Sequence, residues 1–190
     1  RLYLPMVGVV LLIGSLSYRG LSQRPSYAIT AGLILIVIFA WSSHTRTHVW
    51  HDRLTLWSDI VDKNQYSFRV YNNRGFVLEN AGQLDAAFQD YEKAVELNLK
   101  NATGYNNLGN VYQKRGNYKL AFENYAAALA IQPEYSDPHY NRGNTLARQN
   151  QFKEALEDYN QAIRLGKDSA EVYHNRGFAR AQLGEISLAI

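Results

Sequence analysis

Gly75, Gly109, Gly143 and Gly177 recur at one constant interval, and the words around them agree: VYNNRG, GYNNLG, HYNRG and VYHNRG. Ala87, Ala121, Ala155 and Ala189 keep the same interval, as do Tyr91, Tyr125 and Tyr159, and then Ala94, Ala128 and Ala162. A fixed period of about 20–50 residues marks a chain built from repeated supersecondary units. Within each unit the turn words ENAGQ, KRGNY, RQNQF and QLGEI divide two helical patterns. Apolar residues recur along one helical face at Leu84, Phe88, Tyr91 and Val95, and again at Phe152, Leu156, Tyr159 and Ile163. A glycine inside a helix costs about 1 kcal/mol against alanine. Keeping one at the same register in every unit predicts that two helices cross closely there. No unit can bury its face alone, so neighbours are expected to stack into a solenoid. The fold class is all-α.

The pattern resembles the tetratricopeptide repeat (TPR), a helix–turn–helix unit of about 34 residues, over Phe68 to Ile190. The windows are 68–101, 102–135, 136–169 and a truncated 170–190. Arg74, Arg142 and Arg176 occupy a position usually held by Leu. Pro133 closes the second unit, but Leu99 and Lys167 stand at the matching positions, so weaker helix stops are expected there. The fourth unit ends midway through its second helix, leaving Ile186 and Ile190 without a neighbour. The chain is read as a piece of a longer protein.

The resemblance implies a concave face lined by the first helix of each pair. Asn73, Asn107, Asn141 and Asn175 share one position in the four units, and Asn110 and Asn144 follow one turn on in the middle two. An asparagine amide both donates and accepts, so such a row can pair with the backbone of an extended peptide. It resembles the asparagine ladder of O-GlcNAc transferases and the clamp repeats that hold C-terminal carboxylates. The clamp's lysines are absent: the preceding position reads Asn72, Asn106, Tyr140 and His174. The expected partner is a protein or extended peptide, read through its backbone. The bland alternative is that asparagine here is simply a common repeat residue, bonding within its helix pair.

Catalytic chemistry is not expected within this chain. It shows no phosphate-binding glycine loop and no nucleophile–base arrangement. His44, His48 and His51 share one helical face, but a catalytic zinc helix would carry a Glu between two of them, and none is there. No metal or cofactor is expected. Asp85, Asp90 and Asp158 are read as solvated surface acids. The formal charge is +3, with 6 Lys/Arg against 3 Asp/Glu in residues 1–67 and 14 of each in residues 68–190. A nucleic-acid binder needs a basic face on its folded domain, so no nucleic-acid partner is expected.

The first third has another character. Leu2–Leu16 and Tyr27–Trp41 carry no charge. With their flanks each approaches about 17 residues, the low end for a bilayer span. Tyr3, Tyr18, Tyr27 and Trp41 fall near the ends of the stretches, where interfacial aromatics gather. Residues 1–43 are therefore read as a two-helix transmembrane hairpin, with the lipid bilayer as a partner; a buried hairpin is the alternative. Arg19 and Arg24 place the connecting loop (19–26) in the cytoplasm by the positive-inside rule. The repeats would then be extracytoplasmic, in a periplasm or an ER lumen.

Between the two regions lies THVWHDRLTLWSDIV, residues 47–61. Stepping the period back maps Trp50, Leu54, Trp57 and Val61 onto Leu84, Phe88, Tyr91 and Val95. Residues 44–67 are accordingly read as an amphipathic capping helix, half a repeat. A start of RLYLP, a two-span hairpin, this cap and then repeats resembles the junction in membrane glycosyltransferases with C-terminal TPRs, the transmembrane-and-TPR O-mannosyltransferases and bacterial relatives. The resemblance implies a larger enzyme using a lipid-linked sugar, with the repeats recruiting protein acceptors. The alternative is a non-enzymatic, membrane-anchored adaptor assembling an envelope complex. If the tryptophans rather than the histidines matter, Trp57→Ala lowers the thermal midpoint of the repeats and His51→Ala leaves it unchanged, as followed by circular dichroism.

Overall fold

The computed structural model describes residues 33–39, 41 and 52–185, all helical or in short turns between helices. Compact packing divides the chain into Arg1–Leu56 and Trp57–Ile190. In the first unit residues 33–39 and 41 are helical, with Leu33, Ile34, Ile36, Val37, Ile38 and Trp41 exposed. Most of the expected hairpin, the three histidines, Trp50, Ile186 and Ile190 lie outside the described residues. Among the described residues no helix is long and apolar enough to cross a membrane.

The remaining helices are α1 (Arg53–Lys63), α2 (Phe68–Asn80), α3 (Leu84–Leu97), α4 (Ala102–Lys114), α5 (Tyr118–Ile131), α6 (Ser136–Arg148), α7 (Phe152–Arg164) and α8 (Ala170–Gln182). The starts of α2, α4, α6 and α8 fall one full period apart, as do those of α3, α5 and α7. α1 ends at Lys63, one period before the end of α3. The turn after it repeats the later ones. Asn64 N–H bonds to Val61 O and Ser67 N–H to Asn64 O, as Asn98 does to Val95 and Asn101 to Asn98. Val61 is buried, and Leu54 and Trp57 are half-buried.

α3 and α5 end in register although a proline follows only α5, and α7 ends one residue earlier in the period. α3, with Leu99 beyond it, stops at the same point of the period as α5, with Pro133 beyond it. Local hydrogen bonds do the stopping. Asn98 N–H bonds back to Ala94 O, and the Asn98 side chain accepts from Lys100 N–H at 3.1 Å. After α7 the chain turns through Gly166 at φ +87°. The expected weakness of these stops is not observed.

The turns inside each unit need a left-handed residue. Gly82, Gly116 and Gly184 supply it, and Asn150 does so in the third unit at φ 61°. Asparagine is the residue other than glycine that reaches this region most readily.

The core of each of the three complete units is a tyrosine laid against a glycine. Tyr91 and Tyr125 are fully buried and Tyr159 is 1 % exposed. A Cβ added at Gly75, Gly109 or Gly143 would come within 2.7, 2.5 or 2.9 Å of the ring of Tyr91, Tyr125 or Tyr159 respectively. The close crossing forecast from the glycines is thus a ring-on-backbone contact. The alanines flank it, and Ala87, Ala121 and Ala155 are fully buried.

Two acids read as solvated are buried instead: Asp90 and Asp158, each 4 % exposed. Arg74 grips Asp90 with Nε at 2.7 Å and Nη2 at 2.6 Å, and Arg142 grips Asp158 at 2.8 and 2.7 Å. His139 Nδ1 adds a contact to Asp158 at 3.1 Å. Each fork joins the two helices of one unit. It also raises the pKa of the arginine, chiefly through the hydrogen bond to the carboxylate. The middle unit carries Leu108 and Asn124 at these positions. That natural swap predicts a double-mutant result. Arg142→Leu alone strands a buried carboxylate and should cost about 3–5 kcal/mol. Adding Asp158→Asn should recover most of it, as measured by urea denaturation.

Candidate functional site

First helices of successive units pack on one another, α4 with α6 and α6 with α8, while no comparable packing joins the second helices. The repeats therefore curve with their first helices inside. On that inner face lies a groove of about 370 Å³ lined by Gln113, Asn144, Ala147, Arg148, Tyr159, Asn175 and Phe178.

The asparagine row is split into kinds by its surroundings. Asn141 Nδ2 donates to Asn106 Oδ1 at 3.0 Å, linking α6 to α4. Asn175 Nδ2 donates to Tyr140 Oη at 3.1 Å and to Asn144 Oδ1 at 2.9 Å, linking α8 to α6. These rungs join the helix pairs that pack. Between α2 and α4 no such rung forms: Asn72 Oδ1 is buried without a partner, and Asn107 only accepts from its neighbour Asn106, at 3.3 Å. An ion pair from Lys114 to Glu79 at 2.8 Å spans that step instead. Asn73 is exposed. Asn110 and Asn144 accept from Tyr125 Oη and Tyr159 Oη, each at 2.9 Å. Burial raises the pKa of both tyrosines, so these hydroxyls stay protonated and donate.

Of the expected residues, Asn144 and Asn175 line the groove, and the row is only in part a free ladder. Asn110 and Asn144 bond within their own helix pair, whereas Asn141 and Asn175 bond across to the neighbouring unit, which the bland reading did not foresee. Sequence reasoning missed Gln113, Arg148 and Phe178. Phe178 had a signal: it and Phe76 hold the position of Asn110 and Asn144 in the outer units, and both are exposed, by 52 % and 53 %. Among the described residues no group of His or acidic side chains is arranged to hold a metal ion.

A family model described as tetratricopeptide repeat matches residues 66–134 and 100–168, together more than half of the chain. The chain belongs to the tetratricopeptide repeat family. As a TPR protein it is a protein-interaction scaffold, and the solved structures agree on the fold. It is similar to the crystal structure of MamA protein, at 18% identity and TM-score 0.61 over 78% of this chain and 81% of that one. It is also similar to YrrB, described as a TPR protein with an unusual peptide-binding site, at 29% identity and TM-score 0.59 over 70% and 69%. In sequence it is 32% identical over 106 residues to the protein O-mannosyl-transferase Tmtc3 of Drosophila melanogaster, across 50% of this chain. That match spans 11% of the relative's length.

The two kinds of asparagine in this TPR array should separate in stability. Asn141→Ala and Asn175→Ala each break an inter-repeat hydrogen bond and should cost about 1 kcal/mol. Asn73→Ala should change the denaturation midpoint negligibly.

Proposed function

We propose that these repeats are the protein-recruiting module of a larger membrane glycosyltransferase that uses a lipid-linked sugar. In this reading the inner face holds an extended stretch of an acceptor or partner protein. The free atoms of Asn73, Asn107, Asn110, Asn141, Asn144 and Asn175 pair with its backbone. The observation that carries the enzyme context is the 32% identity to an O-mannosyl-transferase through the repeats. Recruitment itself rests on the groove, because an extended peptide is the ligand whose alternating donors and acceptors match a row of amides. No residue of this chain is assigned to the chemical step.

The membrane context is part of the same proposal. Residues 1–43 form the two-span hairpin, with loop 19–26 cytoplasmic and the repeats extracytoplasmic. Support comes from the uncharged stretches and from the exposed run Leu33, Ile34, Ile36, Val37 and Ile38, each at least 55 % exposed. A helix surface apolar on all sides is suited to lipid. Residues 44–67 act as the half-repeat cap between the two regions, supported by the recurrence of the repeat turn at Asn64–Ser67.

The test uses the complete membrane protein. Deleting residues 68–190 is expected to abolish sugar transfer to a protein acceptor while leaving membrane insertion intact; undiminished transfer would refute the recruiting role. Glu92→Cys, placed in a chain that has no cysteine of its own, is expected to react with an impermeant thiol reagent added from the extracytoplasmic side. Labelling from the cytoplasmic side alone would reverse the topology.

A further inference from the structure

Resting on the reading of this groove as a peptide site, we propose that Asn144 and Arg148 form a donor-only patch. It selects an extended peptide carrying an acidic side chain beside a large apolar one.

An asparagine carbonyl oxygen has two lone pairs. Both are filled at Asn144, by Tyr159 Oη and by Asn175 Nδ2, each at 2.9 Å. Asn144 therefore offers the groove only its N–H groups. Asn110 Oδ1 accepts from Tyr125 Oη alone and keeps one lone pair, so it is not donor-only. The hydroxyls come from second helices and reach the inner face from behind, so the orientation of these amides is set before any ligand arrives. Arg148 stands one helical turn beyond Asn144, lines the same groove and is exposed. It makes no ion pair or hydrogen bond among the described residues.

Among the described residues no carboxylate lines this groove. The nearest counterpart in the array, Glu79, is already occupied: Tyr91 Oη donates to it at 2.7 Å and Lys114 Nζ at 2.8 Å. An incoming carboxylate thus meets the amide N–H groups of Asn144 and a free guanidinium, with no like charge among the described lining residues. Hydrogen bonds to a charged group contribute about 1.5–3 kcal/mol, so this contact can decide between peptides.

The flanks say that the anion is part of a peptide. Gln113 donates its Nε2 to Thr145 at 2.8 Å, and Asn175 donates its Nδ2 twice. Both leave carbonyl oxygens free to accept from backbone N–H groups. Phe178 stacks edge-on against Phe152 with ring centroids 6.1 Å apart and leaves half its surface open. Beside Ala147 it offers an apolar platform for the side chain next to the acid.

The test is fluorescence anisotropy on the full chain with labelled, C-terminally amidated Gly-Ser-rich peptides. One peptide carries aspartate beside leucine; its controls carry asparagine or lysine in place of aspartate, or serine in place of leucine. The aspartate–leucine peptide is expected to bind about tenfold tighter than the asparagine–leucine one, and to lose that margin at high salt. Arg148→Gln is expected to close the gap without lowering the thermal midpoint. Tyr159→Phe, which frees a lone pair on Asn144, is expected to narrow it. Equal affinity for the aspartate and asparagine peptides, or a gap that survives both substitutions, overturns the proposal. So does binding that appears only with a free C-terminal carboxylate, which would indicate end capture. If none of the peptides binds in any form, the peptide-groove reading itself fails.

Discussion

A buried tyrosine ring laid on a glycine backbone is the contact on which the solenoid depends. It recurs at Tyr91 on Gly75, Tyr125 on Gly109 and Tyr159 on Gly143, with no room for a Cβ between them. The contact sets how closely the two helices of a unit cross. It also passes the phenolic oxygen through the unit to the inner face, where it reaches Glu79, Asn110 or Asn144. One residue type therefore serves both packing and the groove. Shortening the ring would leave a cavity, and burying its hydroxyl without an acceptor would cost a hydrogen bond.

Ion pairs supply a second link within units, and they are not uniform. The outer two complete units use Arg74–Asp90 and Arg142–Asp158, and the middle one uses Leu108 and Asn124. A buried ion pair is close to neutral in stability against a packed apolar pair. That near-equality lets the same fold carry either solution. The cost falls only on mixed pairs, so the two positions must change together.

The inner face is where units touch each other, and there the amides divide their work. Asn141 and Asn175 hold successive first helices together, while Asn73 faces outward. The row is a mixture of structural rungs and free donors and acceptors, with a different balance at each repeat. That uneven polarity is the basis of the proposed preference among peptides.

The period alone determined most of the architecture. Helix starts, the glycine crossings and the curved stack are set by local pattern and by the need of each unit to cover its neighbour. Even the Arg–Asp forks were visible in principle, since Arg and Asp recur at one and the same separation in the first and third units and are both replaced in the second. Their burial was not visible, because composition cannot say that an acid has a partner facing it. The state of each asparagine was decided only by tertiary structure. An amide's free atoms depend on which hydroxyl or neighbouring amide reaches it, and Tyr159 and Asn175 come to Asn144 from two separate helices. Sequence spacing placed the asparagines on one face; the three-dimensional packing settled which of their atoms remain for a partner.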